Sequence, residues 1–134
     1  MKSLKKLART FEPRLASAHC DLPCGIYDPA QARIEADAVK ACMEKFNSSS
    51  DDVFKERAIR IKEDRAELVK HHLWVLWTDY FKPNHLEAHP GLHQLIWDAT
   101  KTAGESKKTT DTKVAEKLLG EIAEIDKIFW ETKK

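Results

Sequence analysis

Val114-Ala115-Glu116-Lys117-Leu118-Leu119-Gly120-Glu121-Ile122-Ala123-Glu124-Ile125-Asp126-Lys127-Ile128-Phe129 decides the fold of this chain. Val114, Leu118, Ile122, Ile125 and Phe129 recur at steps of four and three, the i, i+4, i+7 spacing of one helical face. The same period appears three times upstream. Asp28-Pro29 gives a start signal: Asp as N-cap, Pro at the first helical position, Gln31 three residues after the cap. Val39, Cys42, Met43 and Phe46 carry that stripe to the break at Asn47-Ser48-Ser49-Ser50-Asp51-Asp52. A long second helix, capped within the Ser/Asp cluster, runs through Ile61, Leu68, Val69, Leu73 and Leu76 until Lys82-Pro83 stops it. After a loop to Pro90-Gly91, the residues Leu92, Leu95, Ile96 and Ala99 mark a shorter third helix, and Gly104 to Asp111 reads as a polar turn. No stretch alternates convincingly with period two. The expectation is all-α: an antiparallel up-down four-helix bundle over residues 28–134, with residues 19–27 as an N-terminal metal-binding hook and residues 1–18 as a leader.

Composition agrees with long helices. The chain has 134 residues, enough for one domain, and only four glycines and five prolines. No apolar run approaches the ~18 residues that a membrane span needs. The net charge of +1 divides unevenly. Lys2, Lys5, Lys6, Arg9 and Arg14 against Glu12 make the leader +4, which leaves the remainder at −3. A body of that sign has no nucleic-acid footprint. An anionic substrate would have to be drawn by local positive charge rather than by the overall field.

The leader ends in Ala16-Ser17-Ala18, small residues like those of a secretory cleavage site, but Lys5, Lys6, Arg9, Glu12, Pro13 and Arg14 interrupt every candidate apolar stretch. Leu4, Leu7, Ala8, Phe11 and Leu15 share one helical stripe among basic residues. An organelle transit peptide and a disordered tail are the plainer readings. What a cut before His19 would expose favours a pro-segment removed by a dedicated protease in the cytoplasm.

That cut would place an α-amine, an imidazole, a backbone amide and two thiols within His19-Cys20-Asp21-Leu22-Pro23-Cys24-Gly25. The thiolates of Cys20 and Cys24 select soft or borderline metals such as copper, zinc, iron–sulfur or nickel over magnesium and calcium. The His19 amine and the Cys20 amide would complete a planar N₂S₂ set. Deprotonating a peptide amide requires a polarising, square-planar ion, Ni(II) or Cu(II), and thiolates tend to reduce Cu(II). Nickel fits better. The His19 imidazole is placed to add an axial ligand, and the anionic donors would bring Ni(III) within reach. While Ala18 is attached, however, the His19 nitrogen is an amide and a poor donor, so the full chain is expected to be an inactive precursor.

The segment from His19 through Cys24-Gly25-Ile26-Tyr27-Asp28-Pro29-Ala30-Gln31 resembles the hook of the nickel superoxide dismutases. The resemblance continues through Arg65-Ala66-Glu67-Leu68, Lys70-His71-His72, Asp79-Tyr80-Phe81-Lys82-Pro83 and Ile125-Asp126-Lys127-Ile128-Phe129-Trp130-Glu131-Thr132-Lys133-Lys134, essentially everything after the leader. It implies a homohexamer of four-helix bundles, one nickel per subunit cycling between Ni(II) and Ni(III), and conversion of superoxide to oxygen and hydrogen peroxide. It further implies that His19, Cys20 and Cys24 hold the metal, that Glu35 and Arg65 orient the imidazole, and that Tyr27 and Tyr80 guard the open metal face. Asp21 and Lys82 would lie close by, with Lys82 supplying positive charge.

Taken without the resemblance, several residues read more plainly. Cys20 and Cys24 would be a redox dithiol or zinc half-site, Glu35 and Arg65 solvated charges, and Tyr27 a packing residue. Cys42 on the apolar stripe reads as a small buried hydrophobe. Trp74, Trp77, Trp97 and Trp130 read as core or interface anchors. His85, His89 and His93 keep a four-residue spacing, but Pro90-Gly91 breaks the helix that would align them; adjacent His71 and His72 point to different faces. Two other classes remain: a nickel- or copper-trafficking protein without turnover, and a helical interaction module with an incidental hook.

Overall fold

The computed structural model describes residues 24–134; the leader, His19, Cys20 and Asp21 lie outside the described residues. Helix α1 spans Ala30–Ser48, α2 Asp52–Val75, α3 Pro83–Ala88, α4 Leu92–Ser106 and α5 Thr112–Glu131. The four long helices form a ring in which α1 packs on α2 and α5, α2 on α4, and α4 on α5. Short links at 49–51 and 107–111 force antiparallel neighbours. The starts of α1 and α4 and the ends of α2 and α5 therefore share one end of the bundle.

Local chemistry sets the boundaries. The Asp28 Oδ1 accepts the Ala30 N–H at 2.8 Å, capping α1 as its sequence suggests. Asp51 caps α2 by accepting the Val53 and Phe54 N–H groups at 2.9 and 3.1 Å. Asp111 does the same for α5 through the Lys113 N–H. The last turn of α2 widens into a π-helical segment, Leu76–Tyr80, closed by the Phe81 N–H on the Leu76 carbonyl at 2.9 Å. Lys82 is then extended, as a residue before proline should be, and Pro83 opens α3.

Four sequence expectations need correction. The stretch expected as a loop before Pro90 contains α3, because Lys82-Pro83 restarts a helix as well as stopping one. Helix α4 runs through Gly104 to Ser106 instead of ending before it. Val114 is half-buried, and Ala115 begins the core face of α5. On α2, Ile61 is 44% exposed and Lys62 takes the inward position at 2%.

That inversion has a physical cause. The Lys62 Nζ donates to the carbonyls of Ser106, Lys107 and Thr109 at 2.9, 2.9 and 2.6 Å. These oxygens lie where α4 runs out of intrahelical partners, at the negative end of its dipole. A buried ammonium serves them better than an apolar side chain would. Burial in turn pushes the Lys62 pKa below its ordinary value.

The core is built from Ala32, Ala36, Val69, Leu73, Leu92, Ile96, Ala99, Leu118, Ile122, Ile125 and Phe129, with Val39, Met43, Ala66 and Ala115 packed toward the far end. Cys42 is half-buried and burial pushes its thiol pKa up, in keeping with a packing role. Trp74, Trp97 and Trp130 are 43%, 54% and 48% exposed, so they are not core residues of the single chain.

Candidate metal centre

Gly25 sets the direction of the chain as it leaves Cys24. Its φ of +72° lies in the left-handed region that side-chain-bearing residues rarely adopt. Beside this turn, the exposed Cys24 Sγ accepts the Ile26 N–H at 3.4 Å. The chain then enters α1 over an open recess of about 500 Å³ lined by Gly25, Tyr27, Asp79, Tyr80, Lys82, His85, Thr132 and Lys133. This recess occupies the shared end where α1 begins and α2 and α5 finish.

Its walls come from the segment before α1, the π-helical turn and the residue after it, α3, and the residues that follow α5. Tyr27 precedes α1, and its ring meets that of Tyr80 at 5.6 Å and 51°. The π-helical turn delivers Tyr80, which packs at 4.4 Å on the fully buried Phe129 of α5. His85 of α3 stacks on Tyr80 at 5.6 Å, and its Nδ1 accepts the Lys82 N–H at 3.1 Å. Burial, followed by the charges of Lys82, His89 and Lys133, lowers the His85 pKa, consistent with an unprotonated accepting Nδ1. Thr132 and Lys133 close the recess from the end of α5.

The expected residues fall into three groups. Tyr27, Tyr80 and Lys82 come together in the recess, with Cys24 beside its Gly25 wall. Glu35 and Arg65 meet across α1 and α2, with Arg65 Nη1 3.2 Å from one Glu35 carboxylate oxygen and 3.4 Å from the other. The pair does not line the recess itself. His19, Cys20 and Asp21 lie outside the described residues. Sequence reasoning missed Asp79, His85, Thr132 and Lys133 as walls of the recess, and no local signal marks them.

Among the described residues, no cluster of three or more His, Cys, Asp or Glu side chains is disposed to hold a metal. His85 faces Tyr80, His93 packs on Trp77 at 5.3 Å, and His89 Nε2 lies 3.7 Å from Glu131, so the evenly spaced histidines serve separate partners. Cys24 is a soft anionic donor when deprotonated, suited to nickel, and its exposure leaves it accessible to donors from the preceding segment.

Residues 14–133 match the family of nickel-containing superoxide dismutases. The chain is 59% identical over 129 residues to the superoxide dismutase [Ni] of Streptomyces seoulensis, covering 96% of this chain and 98% of that protein. It superimposes on a native nickel superoxide dismutase structure with a TM-score of 0.84 and 59% identity, covering 87% of this chain and 100% of that one. A nickel-containing superoxide dismutase structure with Ni-ligation corresponding to the oxidised state aligns at 60% identity and a TM-score of 0.83, covering 86% of this chain and 98% of that one.

Proposed function

Because this chain belongs to the nickel-containing superoxide dismutase family, we propose that its active centre forms when cleavage before His19 brings a new N-terminus to the recess beside Cys24. The activity is superoxide dismutation with nickel as cofactor. Two superoxide ions and two protons give one oxygen and one hydrogen peroxide. His19 supplies its amine and imidazole, Cys20 its amide and thiolate, and Cys24 the second thiolate. The bound nickel contributes a one-electron couple between Ni(II) and Ni(III) that nickel in water lacks.

The protein side chains have distinct tasks. Lys82 and Lys133 put positive charge on the recess of an otherwise acidic body, which raises the local concentration of a small anion. Tyr27 and Tyr80 form an aromatic wall that narrows the approach. By the family pattern, Asp21 would lie close to the metal. The Glu35–Arg65 pair would orient the imidazole of His19 when it holds the metal, a task that a charged hydrogen-bonded pair suits well. Half-burial of Glu35 keeps the pair oriented.

One observation carries this reading: the turn at Gly25 sets Cys24 beside the recess that holds Tyr27, Tyr80 and Lys82. The test compares the full chain with one beginning at His19, measuring nickel content and superoxide consumption. The shorter chain should bind nickel and turn over, and the longer one should not. Equal activity in both would remove the amine from the ligand set. Cys20→Ser and Cys24→Ser should each abolish the redox-active metal.

The assembly is a homo-oligomer, a hexamer by the family pattern. The exposed Trp74 and Trp97, which line a small apolar recess with Trp77, His93 and Ile96, support such an interface. No described helix is long and apolar enough to cross a membrane. The compartment proposed is the cytoplasm, with a dedicated protease removing residues 1–18.

A further inference from the structure

We propose that Thr132 is a positioning residue that commits the phenol proton of Tyr80 to the end of α5, so that Tyr80 presents only lone pairs to the metal recess and screens it against anions on that side. The proposal rests on the reading above that Tyr80 borders the nickel.

The number of hydroxyl protons fixes the direction of the bonds. Thr132 Oγ1 lies 2.6 Å from the Phe129 carbonyl and 2.5 Å from the Tyr80 hydroxyl. A hydroxyl has one proton, and a carbonyl can only accept. Thr132 therefore donates to Phe129, and Tyr80 must be the donor in the shorter bond. The chain runs one way: Tyr80 O–H to Thr132 Oγ1, Thr132 O–H to Phe129 O.

Thr132 is itself held in place. Its backbone N–H reaches the Ile128 and Phe129 carbonyls at 3.1 Å each, so the residue is locked onto the unsatisfied end of α5. The ring of Tyr80 is restrained from its faces as well. Lys133 Nζ lies 4.8 Å over it and Phe129 packs at 4.4 Å. Rotation of the phenol proton into the recess would cost the bond to Thr132.

The consequence is directional. A small anion reaching the Tyr80 hydroxyl meets oxygen lone pairs and no O–H donor, so its attraction to the recess comes from the ammonium groups of Lys82 and Lys133. The recess thus holds an anion by its lysines and not by the phenol. Removing the Thr132 hydroxyl while keeping its shape frees the phenol proton to donate into the recess.

The experiment uses the chain beginning at His19 with Thr132→Val, Thr132→Ala and Thr132→Ser, each checked for helix content. Ultraviolet resonance Raman spectra of the nickel-free protein, minus those of Tyr80→Phe, isolate the hydrogen-bonding state of Tyr80. They should show a strong donor in the parent and in Thr132→Ser, and loss of that state in Thr132→Val and Thr132→Ala. Azide titrated into the nickel-loaded protein should bind about ten-fold more tightly to Thr132→Val, the scale of one hydrogen bond to an anion. Thr132→Ser should restore the parent affinity. An unchanged Raman signature in both Val and Ala variants would overturn the bond assignment. A changed signature with unchanged azide affinity would overturn the screening role. The metal assignment stands or falls separately on the comparison of full and processed chains.

Discussion

Lys62→Met keeps an unbranched apolar stem of similar length while removing the ammonium that serves Ser106, Lys107 and Thr109. Three carbonyl oxygens then lose their donor. The surrounding recess, lined by Phe46, Ile59, Lys107, Lys108, Thr109 and Thr110, is open enough for water to reach them. Each therefore costs about 1 kcal/mol, the low end for an abandoned acceptor. The sum is about 3 kcal/mol. For a domain of this size that corresponds to a fall in Tm on the order of 10 °C. With a urea slope of about 2 kcal/mol/M, the midpoint should drop by about 1.5 M. The assay is urea unfolding followed by far-UV circular dichroism, at one fixed protein concentration because assembly adds to apparent stability. A midpoint shift under about 0.25 M would refute the reasoning. It would mean that water satisfies the end of α4 as well as a buried ammonium does.

Three further perturbations follow from the same contacts. Burial raises the Glu121 pKa above its ordinary value, so the ionised carboxylate is disfavoured in the fold; Glu121→Gln should raise Tm at neutral pH, the gain should shrink as pH falls through that raised value, and a lower Tm in the variant at pH 7.5 would contradict this. The His85 pKa is lowered in the fold, so its contribution is present above the unfolded value of about 6.5 and is lost as pH falls through the folded one; His85→Gln should flatten that part of the Tm–pH curve, and an unchanged slope would count against the His85–Lys82 bond. Removing nickel from the processed chain with a strong chelator should abolish turnover while leaving helix content unchanged, since the described core closes without metal ligands; loss of helical signal would show that metal binding and folding are coupled.

Much of the bundle could be read directly from residue spacing. Val39 and Met43, Val69 and Leu73, and Ile122, Ile125 and Phe129 were expected inward and are fully buried or nearly so. Capping chemistry was equally readable, because Asp28 and Asp51 act on N–H groups two or three residues away. Ile61 and Lys62 were misjudged for the opposite reason. Their places depend on carbonyls forty-four or more residues later, which no local window contains. The helix through Gly104 was missed because a single glycine weakens a helix without ending one when its neighbours are packed.

The sequence by itself determined the helical periods, their caps and the donor chemistry of His19, Cys20 and Cys24, all properties of neighbouring residues. The tertiary structure alone decided that Tyr27, Tyr80, Lys82, His85 and Thr132 border one recess, and that Glu35 meets Arg65. Those meetings span 30 to 105 residues and exist only because antiparallel packing brings the start of α1 and the ends of α2 and α5 to the same end of the bundle. Periodicity records which face of a helix is apolar. It carries no information about which distant helix end that face will bring alongside.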